Sequence, residues 1–136
     1  MTGKLTRGVH HIGLTVPDLD QAHAFFCGTL GFETVGGVPD YPSLFVSDGT
    51  ILLTLWRAAD PLTARAFDRR ANIGLHHLSL SVTDDAALEA AWTAVTAHPE
   101  VVVDAPPGPI SPGSPTRHFL IFIPGGIRLE FATPFA

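Results

Sequence analysis

The residues best suited to chemistry occur as a double histidine that the chain contains twice, as HHIGLTV from His10 and as HHLSLSV from His76. In both copies, apolar residues alternate with small polar ones, a pattern typical of a half-buried β-strand. The alternation predicts that the second histidine of each pair, His11 or His77, lies on the polar face, and that His10 and His76 have the opposite orientation. Histidine is the commonest metal ligand and a frequent acid–base group.

A carboxylate joins these histidines when the two halves are aligned at their last strands. Thr54 of the sequence LTL then matches Glu130 of LEF, and alternation predicts that Glu130 shares the polar face with His11 and His77. Two imidazoles and one carboxylate are typical of non-haem Fe(II) and also accept Mn, Co, Ni or Zn. Because threonine is a poor ligand, three protein ligands (His11, His77 and Glu130) and open positions are expected, an arrangement that favours catalysis over a structural role. Taken singly, each residue is also explained as an ordinary core or surface group.

Two further residues are candidates for a catalytic role. His118 precedes an apolar strand and is a candidate general base, with a plain surface strand residue as the alternative. Arg128 lies two residues before Glu130, on the same predicted face. It is a candidate for holding an anionic substrate group, with a salt bridge as the alternative.

The elements that must position these residues follow the order β-α-β-β-β, linker, β-α-β-β-β, which indicates an internal duplication. The predicted fold class is α+β, with two tandem βαβββ modules forming a curved mixed sheet around a metal cleft. The modules span about residues 8–57 and 74–133, joined by a linker at 58–73. The predicted strands are 9–16, 32–35, 44–47, 50–57, 75–82, 101–104, 117–123 and 127–133. The predicted helices are 19–29 and a second one, capped by Asp84 or Asp85, that runs to about residue 98. Gly36–Gly37 is predicted as a turn and 106–116 as a loop.

Composition excludes several classes of function. The 136 residues indicate a single domain, 1–136. A net charge of −5 argues against nucleic acid and anionic membrane surfaces. The single cysteine, Cys27, excludes an internal disulfide and suits a reducing compartment. The chain shows no apolar run of membrane-span length and no signal-peptide core at its start, so the expected location is the cytoplasm.

With these residues in place, the sequence resembles the vicinal oxygen chelate superfamily, which contains glyoxalase I, bleomycin-resistance proteins, fosfomycin-resistance enzymes, methylmalonyl-CoA epimerase and extradiol dioxygenases. The resemblance covers about residues 8–133 and rests on HHIGLTVPDLDQAHAFFCGTLGF, GLHHLSLSV and PGGIRLEF. It implies paired βαβββ modules, metal ligation by His11, His77 and Glu130, and a homodimer. The fourth family position, Glu or Gln in glyoxalase I and the epimerase, falls on Thr54, as in the three-ligand members.

The resemblance implies a metal-dependent enzyme that acts on a small substrate chelated through adjacent oxygens, and the two-histidine, one-carboxylate set favours a dioxygenase-like reaction. Leu120 stands where extradiol enzymes usually carry a tyrosine, so His118 would have to substitute in ring cleavage. Three alternatives stay open. These are a metal-free binding protein of the bleomycin-resistance type, a glyoxalase or other lyase, and a fosfomycin-type transferase.

Overall fold

The computed structural model describes residues 3–135, which divide into two compact units. The first unit ends at Ala64 and the second begins at Arg65, so the boundary falls within the segment predicted as a linker. Each unit contains one four-stranded mixed sheet and follows the order β-α-β-β-β. The predicted α+β class and the two tandem βαβββ modules are therefore confirmed. The predicted arrangement of both modules around a metal cleft stays a prediction.

The first unit has the strand order β1-β4-β3-β2. Its first and last strands, β1 and β4, pair in parallel, whereas the other neighbours are antiparallel. Alternation sends Leu14 and Val16 of β1 into the core and leaves His11, Gly13 and Thr15 exposed. The strands are β1 (His11–Val16), β2 (Glu33–Val38), β3 (Ser43–Ser47) and β4 (Leu52–Arg57).

The helix of the first unit changes its winding halfway along. Asp18 accepts a hydrogen bond from a backbone amide of the first turn and so caps α1 (Leu19–His23), which continues as a π-helical segment, Ala24–Thr29. One regular helix had been predicted here. The wider π turn, frequently found at functional sites, lets the neighbouring rings of Phe25 and Phe26 both be fully buried, in edge-to-face contact at 5.4 Å.

The second unit repeats this plan with the strand order β5-β8-β7-β6. Here β5 and β8 pair in parallel, and β8–β7 and β7–β6 are antiparallel. The elements are β5 (Leu78–Ser81), α2 (Asp85–Thr96), β6 (Val102–Pro109), β7 (Arg117–Phe122) and β8 (Arg128–Ala132).

Aromatic packing on one face of the second sheet leaves the other face free for polar groups. Phe119 and Phe131 stack at 4.7 Å between ring centroids, and Trp92 of α2 packs against Phe119 at 5.2 Å. The alternation of the strands then sends Glu130, next to Phe131, to the opposite face.

Two predicted boundaries were wrong. Gly36 and Gly37 lie within β2 and do not form a turn; a Cβ on Gly37 would meet the Ser43 carbonyl oxygen at 2.7 Å, so glycine permits the close approach of β3. The first part of the predicted loop 106–116 continues β6 to Pro109. Prolines are tolerated there because β6 is an edge strand.

Within residues 3–135, none of the helices has both the length and the apolarity needed to cross a membrane.

The start of α2 depends on Asp84, whose Oδ1 accepts a hydrogen bond from the Ala87 amide at 2.8 Å. We expect Asp84→Ala to lower the free energy of unfolding by about 1 kcal/mol, because one amide of the first turn loses its acceptor. Asp84→Asn keeps an acceptor and is the matched control; we expect it to change the free energy of unfolding by only a few tenths of a kcal/mol. Urea titration followed by circular dichroism measures both, and equal losses in the two variants would contradict the capping role.

Candidate functional site

Glu130 is the centre of the polar face in the second unit. It lies in the middle of β8, opposite Ser79 of β5 on one side and Leu120 of β7 on the other. Its exposed fraction is only 6%. A carboxylate so far from water is unfavourable unless charged or hydrogen-bonding partners surround it.

Two histidines lie at the two oxygens of this carboxylate. Nδ1 of His118 is 2.6 Å from Oε2 of Glu130, and Nε2 of His77 is 3.5 Å from Oε1. Burial by itself raises the pKa of Glu130, but the hydrogen bonds from His118 and Ser79 and the charge of His77 together lower that pKa below its ordinary value. The carboxyl group is therefore held as the anion.

His77 itself is held through its second ring nitrogen. Its Nδ1 is 2.8 Å from Nδ1 of His76, and the two rings meet edge to face. The prediction had separated His76 from His77 by strand alternation. Because β5 begins only at Leu78, strand alternation does not apply to the two histidines, and their side chains can turn toward each other.

Arg128 extends this group of contacts. Its Nε and Nη2 donate to Oδ2 of Asp104 at 2.9 and 2.8 Å, and its Nη1 is 3.3 Å from Nδ1 of His76. The salt bridge was the alternative interpretation of Arg128; the substrate role stays a prediction. Desolvation, then the positive charge of Arg128, with smaller contributions from His77 and Arg69, lower the pKa of His76.

The first unit repeats the histidine pair but not the carboxylate. Nδ1 of His10 is 2.8 Å from Nδ1 of His11, and His11 is exposed at the start of β1. Thr54 is buried, and its hydroxyl accepts a hydrogen bond from Nε1 of Trp56 at 2.9 Å and lies 3.5 Å from the carbonyl oxygen of Ile12. The Thr54 hydroxyl group thus has its polar contacts within the first unit.

Two potential ligand atoms of the second unit, Nε2 of His77 and Oε1 of Glu130, lie close to each other. The distance between these two atoms is 3.5 Å. Two ligand atoms that each bind one metal ion at about 2.0–2.2 Å can be this far apart. The other nitrogen of His77, Nδ1, contacts His76, and the other oxygen of Glu130, Oε2, contacts His118. Metal-ligating residues commonly have such outer partners. Among residues 3–135, no three His, Cys, Asp or Glu side chains form a group that could hold a metal ion.

A cavity of about 500 Å³ is lined by β5 and by the segment that begins at the end of β8, and of the residues that contact Glu130 it reaches Ser79. Hydroxyl groups and small apolar surfaces line it, and one of the lining residues, Ser79, hydrogen-bonds to Glu130. The lining residues are Ser79, Ser81, Ala132, Thr133, Pro134 and Phe135.

The sequence interpretation missed three members of this group, Ser79, Asp104 and His76. Ser79 could have been found, since alternation within β5 places it opposite the buried Leu78 and Leu80, on the polar face. Asp104 could not, because it reaches Arg128 of β8 across β7, and irregularities in β6 shift the register between β6 and β7 at this point.

The contact between His118 and Glu130 generates a prediction about stability. We expect His118→Ala to lower the free energy of unfolding of the metal-free protein by about 1–3 kcal/mol, because a buried carboxylate oxygen loses its donor. His118→Asn places an amide donor near the position of Nδ1 and is expected to recover most of the loss. Urea titration at neutral pH measures both variants; identical stabilities of wild type and His118→Ala would show that the contact contributes nothing.

Comparison with known proteins shows which family and which relatives the chain resembles. The profile of the Glyoxalase/Bleomycin resistance protein/Dioxygenase superfamily matches residues 8–131. The chain is 31% identical to a 2-epi-5-epi-valiolone epimerase from Actinomyces sp, with 96% of this chain and 82% of the relative covered.

Solved structures show the same fold. A lactoylglutathione lyase from Agrobacterium tumefaciens superposes with a TM-score of 0.69 at 25% identity, with 96% of each chain covered. A genomically encoded fosfomycin resistance protein from Listeria monocytogenes superposes with a TM-score of 0.72 at 15% identity, covering 96% of this chain and 95% of that one. These matches agree with the resemblance that the sequence motifs indicate.

Proposed function

The chain belongs to the glyoxalase/bleomycin resistance protein/dioxygenase superfamily, and on that premise we propose that it is a metal-dependent enzyme that moves a proton at a carbon next to a carbonyl group. Members of the superfamily commonly use divalent metals, bind small-molecule substrates and often form dimers. The proposed substrate class is a small ketone with several hydroxyl groups, two of whose neighbouring oxygens would chelate the metal.

The buried carboxylate of Glu130 is the observation that carries this proposal. One oxygen, Oε1, lies 3.5 Å from His77 Nε2, while the other accepts a hydrogen bond from His118. We propose His77 and Glu130 as metal ligands, with His11 as the third ligand expected from the sequence. When bound, a divalent metal would stabilise negative charge that develops on a substrate oxygen.

His118 is the residue that we propose moves the proton. If Glu130 Oε2 accepts the Nδ1 proton, His118 is held in the tautomer whose Nε2 carries a lone pair, and that nitrogen can act as a base. A carboxylate that orients an imidazole in this way is a recurring arrangement in catalysis. The His118 side chain is 17% exposed, so it is sheltered but reachable.

The substrate class is supported by two observations of different kinds. The cavity that reaches Ser79 has a mainly apolar lining with a few hydroxyl groups, those of Ser79, Ser81 and Thr133, which can hydrogen-bond to the hydroxyl groups of a ligand. The relative at 31% identity is named for an epimerase reaction. Inversion of a centre next to a carbonyl group requires a base and a stabilised negative charge, which are the two functions proposed here.

A dioxygenase-like reaction is the second candidate, and the state of Thr54 favours it. Because the Thr54 hydroxyl already accepts a hydrogen bond from Trp56, the fourth position of the family site contributes no strong ligand. A set of two histidines and one carboxylate with open positions is typical of non-haem iron oxygenases. If neither reaction nor bound metal is found, the remaining candidate is a metal-free binding protein of the bleomycin-resistance type.

Metal binding tests the ligand assignment. We expect tag-free protein to bind about one Mn²⁺, Co²⁺, Ni²⁺ or Zn²⁺ per site, measured by equilibrium dialysis and elemental analysis. His77→Ala and Glu130→Ala should each weaken binding by more than the 10–100-fold that follows loss of an outer partner, because a direct ligand is removed. His98→Ala, which removes a histidine at the end of α2, is the matched control and should bind as wild type does. Substoichiometric metal that is unchanged by His77→Ala would overturn the assignment.

Solvent proton exchange tests the reaction. We expect metal-loaded protein to exchange the proton next to the carbonyl group of a small hydroxyketone in deuterated water, monitored by NMR over a panel of substrates. His118→Ala should slow this exchange by about 10²–10⁴-fold, because the base is lost, whereas His98→Ala should not. Oxygen uptake with catechols, in the absence of exchange, would instead support the dioxygenase-like reaction.

A further inference from the structure

The cavity of about 500 Å³ in the second unit extends from Ser79 to the C-terminal ends of β5 and β8. These two strands are parallel, so their C-terminal ends meet at one edge of the sheet. His77 precedes β5 and therefore lies toward the opposite end of that strand. A ligand that is held at the His77 end and enters the cavity must follow the direction of the strands.

The strand register places the cavity beside His118 as well. Ala132, which lines the cavity, pairs with Ser81 of β5 on one side and with His118 of β7 on the other. Paired residues point to the same face of a sheet, and in an antiparallel pair their Cβ atoms are about 4.5–5.5 Å apart. Since alanine carries only a methyl group, the space over Ala132 is open between Ser81 and the proposed base.

The three hydroxyl groups of the cavity differ in whether the protein already engages them. The Ser79 hydroxyl hydrogen-bonds to Glu130. The Thr133 hydroxyl accepts a hydrogen bond from the backbone amide of Arg117 at 2.9 Å. The Ser81 side chain is exposed, and within the part of the chain that the structure describes its hydroxyl has no hydrogen-bond partner. Ser81 therefore offers the cavity a hydroxyl group that is available to a ligand.

We propose that Ser81 is a specificity-determining residue, whose side chain hydrogen-bonds to a hydroxyl group at the end of the substrate remote from the chelated oxygens. The position of the reacting end rests on the proposed function. Of the described residues that line the cavity, none is charged, and the lining is mainly apolar. A phosphate or carboxylate group would lose its hydration there without gaining a charged partner, so the remote end is a neutral carbon chain or ring that carries a hydroxyl group.

The length of β5 sets a lower limit to the size of such a substrate. A strand advances about 3.3 Å per residue, so Ser81 lies about 6.6 Å beyond Ser79 along the strand direction. A substrate that consists only of two chelating oxygens and the carbons that carry them is too short to reach Ser81 from the His77 end. We therefore expect recognition by Ser81 to depend on a hydroxyl group further along the carbon chain.

Two ketones that differ in one hydroxyl group test the role of Ser81. 1,4-Dihydroxybutan-2-one and 1-hydroxybutan-2-one each have one pair of neighbouring oxygens, and only the first has a hydroxyl group remote from that pair. Binding is measured from amide shifts in ¹H–¹⁵N NMR of the protein, with and without Zn²⁺. We expect Ser81→Ala to weaken binding of the dihydroxyketone by about 2–10-fold, because one hydrogen bond is lost, and to leave binding of the monohydroxyketone unchanged.

Two matched variants control for the loss of a serine. Ser81→Thr keeps a hydroxyl group and should preserve the preference for the dihydroxyketone. Ser111→Ala removes an exposed serine outside the cavity and should bind both ketones as wild type does. Because Ser81 is exposed in a strand, we expect its variants to fold. Equal effects of Ser81→Ala on the two ketones would overturn the proposal.

A larger side chain at Ala132 tests where the ligand lies. We expect Ala132→Leu to weaken binding of both ketones alike, by about tenfold or more, because the added atoms occupy the space between Ser81 and His118. This pattern differs from that of Ser81→Ala, which affects one ketone alone. Unchanged binding in a folded Ala132→Leu variant would contradict the position proposed for the ligand, and if this variant does not fold, the Ser81 variants decide.

Solvent proton exchange with the same two ketones separates this proposal from the proposed function. Binding that depends on the remote hydroxyl group and on Ser81, without exchange of either ketone, would uphold the role of Ser81 and reject the reaction. Exchange of both ketones at rates that Ser81→Ala leaves unchanged would uphold the reaction and reject the role of Ser81. If neither ketone binds, with or without Zn²⁺, the role of Ser81 is rejected.

Discussion

The burial of one carboxylate, Glu130, is the constraint on which the rest of the second unit depends. The stacked rings of Phe119 and Phe131 hold the sheet's core face, and alternation forces Glu130 to the other side at only 6% exposure. An anion there requires donors or a cation. The contacts of His118 and Ser79 with the carboxylate follow from that requirement, and the proposed metal would meet it at the oxygen next to His77.

The two units share one order of strands and helix but carry different polar residues at equivalent positions. At equivalent positions of the last strands, Glu130 faces two histidines, whereas the Thr54 hydroxyl is engaged by Trp56 within its own unit. The position two residues earlier also differs between the units, with Arg128 in the second unit and Leu52 in the first. A symmetric fold can therefore carry an asymmetric site, because strand pairing depends on the backbone and core residues, while the polar face is free to vary.

Outer contacts matter in this site as much as the proposed ligands do. An imidazole can present either nitrogen as an acceptor, and its surroundings decide which. For His118 the decision lies with Glu130, which as an anion can only accept. The His118 ring is thereby oriented by a neighbour of fixed polarity.

The amino-acid sequence by itself determined the order of elements, the duplication and the polar face on which Glu130 lies, because alternation and capping are local properties that short segments express. It misplaced Gly36–Gly37, predicted as a turn, and the start of the predicted loop 106–116, because the approach of a neighbouring strand or an edge position decides the conformation there. Only the tertiary structure decided that His76 contacts His77 and that Asp104 holds Arg128. Such contacts depend on where strands begin and on bulged registers between distant segments, and neither is encoded in the periodicity of a single segment.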